Sequence, residues 1–332
     1  MERKRGANFG TGIAGKGKIC YSGYCVKRNE RLDTGKDIDD MWIAKDWKDY
    51  EVLDASGGEK LERWGNYILI RPDPQVIWNT DKKHPGWKRC NAHYHRSNKG
   101  GGEWEFFDLP KIWEIGYQDL NFRLQPFSFK HTGLFPEQAV NWDWCAERIK
   151  EAVKQNPENR PKVLNLFAYT GGATVAAAKA GAAVTHVDAS KGMVTWAKEN
   201  AGVSGLGDAP IRYIVDDCAK FVEREIRRGS LYDAVIMDPP SYGRGPKGEI
   251  WKIEDSIYPF VKLVAGVLKE KPLFVLINSY TTGLQPAVLA YLLGSVMTPK
   301  FGGSVQAEEI GLPVTSSGLV LPCGASGRWE GR

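Results

Sequence analysis

The stretch Val163-Leu-Asn-Leu-Phe-Ala-Tyr-Thr-Gly-Gly172 decides how this chain is read. Its first half is an apolar run of strand length, the glycine pair breaks it, and the alanine-rich segment Ala173–Ala180 behind it has the composition of a helix. Strand, glycine turn and helix in this order form the layout of a nucleotide-binding loop. The dinucleotide fingerprint G-x-G-x-x-G does not align, because Ala168 and Thr170 stand where its glycines would be needed. No Gly-Lys-Ser/Thr follows, so a P-loop is excluded as well. The loop comes close to its ligand at Gly171–Gly172, without the glycines needed to wrap a diphosphate.

A nucleoside without phosphates fits such a loop, and S-adenosylmethionine is one. Its carboxylate suits the backbone N–H groups that open the following helix. The next strand ends carry groups for the rest of such a ligand. Asp188, followed by Ala189 and Ser190, closes a second strand, where a carboxylate can take both ribose hydroxyls. Asp216, Asp217 and Cys218 close a third, where an acid can accept from an adenine amine and the next N–H can donate to the ring. A fourth ends in Asp238-Pro-Pro-Ser-Tyr242. Each acid alone is equally a helix N-cap. The ordered set favours a ligand, because ligands of open α/β sheets bind at the carboxyl ends of the strands.

The texture around these motifs is regular. From Pro161 onward, strand candidates ("KVLNLF", "AAVTHVDA", "IRYIVDD", "YDAVIMDPP", "PLFVLINSY", "SVQAEEIG", "GLVLPC") alternate with helix candidates at 173–180, 191–201, 218–228, 253–269 and 284–297. Alternation of this kind predicts an α/β, Rossmann-like sheet with helices on both faces. Between Asp46 and Phe127 the pattern is different. "YEVLDAS", "NYILIRP", "QVIWN", "EWEFFD", "IWEIGYQ" and "LNFRLQP" alternate with period two between turn residues, which predicts a small β-rich domain, a meander or barrel. Six of the twelve tryptophans fall here, and they suit either a β-domain core or a surface on which bases stack. Residues 1–45, basic and glycine-rich, read as a poorly ordered extension. The expected division is therefore 1–45, 46–127 and 128–332.

Composition narrows the class. The chain has 332 residues, 42% hydrophobic and 26% charged, as in ordinary globular proteins. It has no apolar run long enough for a membrane span, and no apolar block behind the N-terminal charges, so a cytoplasmic location is expected. A net charge of +5 and a pI near 8.7 permit a polyanionic partner such as RNA without requiring one. The six cysteines are scattered, and His93-x-His95 near Cys90 lacks further ligands, so no metal is expected.

Asp238-Pro239-Pro240 is a candidate acceptor site. Two prolines fix the backbone and remove two N–H donors, leaving carbonyl oxygens to meet an amine or ring N–H of a flat substrate. Tyr242 follows as a ring to stack on it, and Arg244, Lys247 and Lys252 suit a phosphate-bearing partner.

Residues from about 122 to 276 resemble the class I S-adenosylmethionine-dependent methyltransferases, and within them the bacterial large-subunit ribosomal RNA methyltransferase-like family of cytosine-C5 and guanine-N7 enzymes. The matching pieces are "HTGLFPEQ" (131–138), "VLNLFAYTGGATVAAAKAGA" (163–182), "VDASKGMVTWAKENAGVSGL" (187–206), "DDCAKF" (216–221) and "YDAVIMDPPSYGRG" (232–245). The resemblance implies that Lys130, Gly133, Phe135, Tyr169, Thr170, Gly171, Asp188, Ser190, Asp216, Cys218 and Asp238 line the cofactor, with Ala168, Ala189 and Asp217 beside them. Asp238, Pro239 and Tyr242, from the reading of the Asp-Pro-Pro loop, are the expected catalytic group. One departure bears on the chemistry. C5 methylation needs a thiolate to add at C6. The relatives that do this carry a cysteine just after the fifth strand, where this chain reads Ile277-Asn-Ser-Tyr-Thr-Thr-Gly283. Cys218 lies at the adenine end, and Cys323 is far along the chain. The expectation is direct methyl transfer to an atom of an RNA base. The alternatives are a protein or small-molecule substrate, or a cysteine-dependent C5 reaction.

Overall fold

The computed structural model describes residues 18–21, 24–27, 41–97, 101–127, 129–244 and 250–331. The chain forms two compact units, Met1–Asp40 and Met41–Arg332. In the first, Lys18–Tyr21 (β1) and Tyr24–Lys27 (β2) pair as an antiparallel hairpin. The remainder of the extension up to Asp40, which the sequence predicts to be poorly ordered, lies outside the described residues.

Trp42–Ile43 (β3) opens the second unit. Tyr50–Ser56 (β4), Glu59–Trp64 (β5), Tyr67–Pro72 (β6), Ala92–Arg96 (β7) and Gly102–Phe106 (β8) follow as a five-stranded sheet in chain order, antiparallel except between β6 and β7. Trp113–Tyr117 (β9) and Leu120–Leu124 (β10) add a separate hairpin. Period two works as expected here: Trp113, Ile115, Tyr117, Leu120, Phe122 and Leu124 are all buried. Trp64 and Trp113 are core residues, as the packing reading of the tryptophans requires. Gln75–Asn79, predicted as a strand, forms none. It crosses the β4–β5 turn, where the Val76 and Trp78 carbonyls accept from Gly58 and Gly57.

The α/β part begins with Ala139–Gln155 (α1). Then come Lys162–Leu166 (β11), Gly172–Lys179 (α2), Ala183–Asp188 (β12), Lys191–Val203 (α3), Ile211–Val215 (β13), Cys218–Arg228 (α4) and Ala234–Met237 (β14). A short hairpin, Tyr242–Arg244 (β15) with Ile250–Lys252 (β16), precedes Ile253–Val264 (α5) and Phe274–Ser279 (β17). Pro286–Val296 (α6), Thr298–Phe301 (α7), Ser304–Pro313 (β18) and Val320–Glu330 (β19) complete the chain. The main sheet runs β13-β12-β11-β14-β17-β19-β18-β3, parallel through β17, with β19 antiparallel to both its neighbours. β3 joins its far edge, so Trp42–Ile43 belongs to this sheet rather than to the extension.

Strand order reverses between β11 and β14, and the crevice at that switch is where a sheet of this kind binds its ligand. The β-rich and α/β parts share a core: Trp64 and Phe122 pack in one cluster with Trp142 of α1 and Val175 of α2. Among the described residues no helix is long and apolar enough to cross a membrane.

Candidate active site

Leu166 and Met237 pair in register at the ends of β11 and β14, and the Asp238 N–H donates back to the Leu166 carbonyl at 3.4 Å. The loop leaving β11 and the Asp-Pro-Pro loop therefore start side by side at the switch point. The β11 loop is tightly wound. Phe167, Tyr169 and Gly171 have φ of 55°, 50° and 84°, and left-handed backbone is uncommon for the first two. Their neighbours hold them there. The Phe167 N–H donates to Cys218 Sγ at 3.3 Å, Ala168 N–H to the Val187 carbonyl at 3.1 Å, and Tyr169 N–H to Asp188 Oδ2 at 2.9 Å. Thr170 Oγ1 donates to the Gly133 carbonyl at 2.5 Å, and Asn200 Nδ2 donates to the Thr170 carbonyl at 2.8 Å. A Cβ on Gly171 would come within 2.8 Å of the Ala197 Cβ, which explains the glycine.

This loop walls a cavity with Phe135, Ala168, Tyr169, Thr170, Asp238 and Asn278 among its lining. The buried Tyr169 hydroxyl has no hydrogen-bond partner among the described residues. Burial, reinforced by the Glu137 charge, pushes the Asp238 carboxyl up to about 7. The lining is mostly apolar, with Asn165, Asp238, Asn278 and the N-terminus of α2 among its polar groups.

Of the other predicted residues, Lys130, Gly133, Asp188, Ala189, Ser190, Asp216, Asp217 and Cys218 are not in the lining of this cavity. Asp188 also accepts from the Ser190 N–H at 2.8 Å, and burial raises its pKa. Ala189 and Ser190 are exposed, and Ser190 Oγ caps α3 at the Met193 N–H. Asp216 is ion-paired with Arg224, while Asp217 caps α4 through the Lys220 N–H at 2.9 Å. Cys218 is buried beneath the loop. Gly133 packs against the Trp196 ring, which leaves no room for a Cβ. Pro239 is buried, and Tyr242, on β15, is half exposed; neither lines this cavity. The Pro240 carbonyl, which the sequence offered to a substrate, accepts from the Trp251 indole N–H at 2.7 Å. The Arg244 side chain and Lys247 lie outside the described residues.

A second cavity, of about 290 Å³, adjoins the first and shares Leu134 and Phe135 with it. Lys60, Arg71, Lys130, His131, Glu137, Tyr280 and Cys323 are on its walls. The Phe135 ring lies 5.6 Å from Tyr280 and 5.5 Å from Tyr169, so aromatic rings line both cavities where they share a wall. The charges beneath are organised. Arg71 grips Glu62 through Nε at 2.6 Å and Nη2 at 2.8 Å, and Tyr50 donates to Glu62 at 2.6 Å. Burial favours a neutral Glu62, but Arg71 and Lys60 outweigh it and hold the pKa at about 2. Lys130 donates to the Pro72 carbonyl at 2.9 Å; burial, then the Lys60 charge, brings it down to about 8. His131 is lowered to about 4 by burial and by Arg71. Burial raises the Cys323 thiol pKa.

Sequence reading missed most of this second cavity. Glu137 lay in a quoted motif but was given no role. Lys60 and Arg71 sit on strands whose charges hide their partnership. His93 and His95 face carboxylates, with Nε2 on Glu59 at 2.6 Å and on Glu105 at 2.9 Å.

Comparison with known proteins bears on the site. A family model described as S-adenosylmethionine-dependent methyltransferase matches residues 83–256, more than half of the chain. The chain belongs to the S-adenosylmethionine-dependent methyltransferase family. A crystal structure of a methyltransferase of that description from Agrobacterium tumefaciens is 34% identical, covering 88% of this chain and 93% of that one, with a TM-score of 0.81. Curated relatives named ribosomal RNA large subunit methyltransferase K/L include those of Shewanella frigidimarina, 29% identical over 69% of this chain, and Methylococcus capsulatus, 30% identical over 80%. The chain spans about a third of the length of each, 34%. This methyltransferase is thus an α/β enzyme with S-adenosylmethionine as its cofactor.

Proposed function

We propose that this methyltransferase transfers a methyl group directly to a base of RNA, with ribosomal RNA as the leading substrate. One observation carries the reading. The cavity at the switch point, holding Asp238, shares Leu134 and Phe135 with a second cavity of about 290 Å³ that is lined by Phe135 and Tyr280. The first takes the cofactor and the second the acceptor. A base must leave its stack to enter such a site. Lys60, Arg71 and Gln75 on the second cavity come from the β-rich region, which supports region 46–127 as the substrate-holding part and 128–332 as the catalytic part. The ribosomal names of the curated relatives support the RNA class, and that substrate accords with a cytoplasmic location.

The order of the strand ends suggests how the cofactor lies. Phe135 and Ala168–Gly171 meet its methionine end, Asp188–Ser190 its ribose, and Asp216–Cys218 its adenine. Lys130 and Gly133 support that wall from behind. The cofactor supplies a methyl group on a positively charged sulfur. The protein's part is to orient the acceptor, exclude water and accept a proton. With a pKa near 7, Asp238 is poised to take that proton at neutral pH. Pro239 stiffens the loop that carries it, and Tyr242 is exposed to meet neighbouring nucleotides. A cysteine-dependent C5 reaction has Cys323 on the acceptor cavity in its favour, but the raised thiol pKa withholds the thiolate that reaction needs.

Nucleoside mass spectrometry of ribosomal RNA from cells with and without the gene tests the substrate. Loss of one methylated nucleoside is expected, and unchanged RNA with a methyl mark lost from a protein would oppose the reading.

A further inference from the structure

Tyr280 follows β17 directly and is on the wall of the acceptor cavity but not of the cofactor cavity. Its hydroxyl ends a chain of hydrogen bonds whose direction is fixed at the other end. Arg328 can only donate, and it gives Nη2 at 2.7 Å and Nε at 3.1 Å to Asn141 Oδ1. The Asn141 amide is thereby oriented, and its Nδ2 donates to Gln138 Oε1 at 2.9 Å. That leaves Gln138 Nε2 to donate to the Tyr280 oxygen at 2.6 Å. Both amides are buried, and turning either one over would set donor against donor. Tyr280 thus accepts, and its own proton has no acceptor among the described residues. Burial, then the charges of Glu137 and Asp238, raise the phenol pKa, so the proton stays on. The hydroxyl is held at the Gln138 end of the ring. A neighbouring hollow that Tyr280 also lines takes no residue from 130–138, whereas the acceptor cavity takes six of them. The proton therefore belongs to the acceptor cavity.

We propose that the Tyr280 hydroxyl donates to a carbonyl oxygen or an unprotonated ring nitrogen of the acceptor base, held as a donor by Gln138, Asn141 and Arg328. The proposal rests on the RNA-base reading above and adds how one base is told from another. A base with an acceptor at that point completes the chain and recovers the cost of a donor left unpaired. A base that presents an amino group or a ring N–H there meets donor with donor and is refused. Tyr280 selects and orients the base, and the three residues behind it are positioning residues that never touch the substrate through this chain.

The test first finds the modified base by methylating total RNA with the whole protein and identifying its nucleosides. Oligonucleotides then carry that base, or analogues that each lack one carbonyl oxygen or one ring nitrogen, and kcat/KM is measured on each. Wild type is expected to lose about 10- to 100-fold on one analogue. Tyr280→Phe, which keeps the ring, is expected to lose as much on the natural base and nothing further on that analogue. Full activity in Tyr280→Phe, or losses that add on every analogue, would overturn the proposal while leaving the RNA reading intact. If wild type methylates no RNA, both fall. Asn141→Asp is the second variant. It keeps the bond to Arg328 but gives Gln138 an acceptor in place of a donor, so the Gln138 amide turns over and its Oε1 takes the Tyr280 proton. That variant should lose the same discrimination with its hydroxyl intact, and discrimination as sharp as in wild type would contradict the proposal.

Discussion

The main-chain N–H of Tyr169 donates to Asp188 Oδ2 at 2.9 Å, which ties the loop after β11 to the end of β12. The same carboxylate accepts from the Ser190 N–H, so one side chain fixes both the loop and the start of the segment leading into α3. Asp188→Ala removes both the tether and the ribose contact proposed for it. Cofactor affinity, read by isothermal titration, is expected to fall by about 10- to 100-fold, with a stability loss of about 1–3 kcal/mol. Unchanged affinity would remove Asp188 from the cofactor site.

Gly171 permits no side chain. With φ of 84° and the Ala197 Cβ 2.8 Å from where its own would stand, Gly171→Ala must displace the loop or helix α3. A stability loss of about 1–3 kcal/mol is expected from strain and clash. Cofactor binding should fall more steeply than the melting temperature suggests, because the displaced segment is the cavity wall.

The Glu62–Arg71 pair is buried, so its removal is costly. Glu62→Ala leaves Arg71 without its partner and should cost about 3–5 kcal/mol in urea unfolding. The pair also sets a pH dependence. Its folded pKa of about 2 lies below the ordinary glutamate value of about 4.3. The stabilisation is therefore complete above the unfolded value and is lost as pH falls toward the folded one. Wild type should lose up to about 3 kcal/mol of stability between pH 5 and pH 2 from this group, and Glu62→Gln should lack that component.

Cys323 should not form a covalent bond to RNA. Its thiol is partly buried and its pKa raised, whereas C5 enzymes need a thiolate. RNA carrying 5-fluorocytidine, which traps such adducts, should give no band of higher mass in denaturing gels; a stable adduct would restore the cysteine-dependent reaction.

The sheet was legible because its strands are uninterrupted apolar runs and its acids recur at strand ends. Helix α1 was not. Its buried stripe of Ala139, Trp142, Cys145 and Ile149 is narrow, and Asn141 and Asp143 interrupt it. Asn141 is buried to bond Gln138, Asn278, Ser326 and Arg328, a pattern visible only when distant segments meet. Strands β5 and β7 were hidden for a similar reason, since Glu59-Lys-Leu-Glu-Arg-Trp64 reads as solvent-facing until Glu62 is paired with Arg71. The cofactor loop could be read locally. The acceptor cavity could not, because its walls come from β5, β6, the 130–137 segment, Tyr280 and β19.

The central claim is that the methyl group goes to RNA. Incubating the protein with S-adenosylmethionine labelled in its methyl group, together with total RNA and total protein in one mixture, measures the partition directly. The account predicts label in the RNA fraction, sensitive to ribonuclease and absent with Asp238→Ala. Label confined to the protein fraction would contradict it.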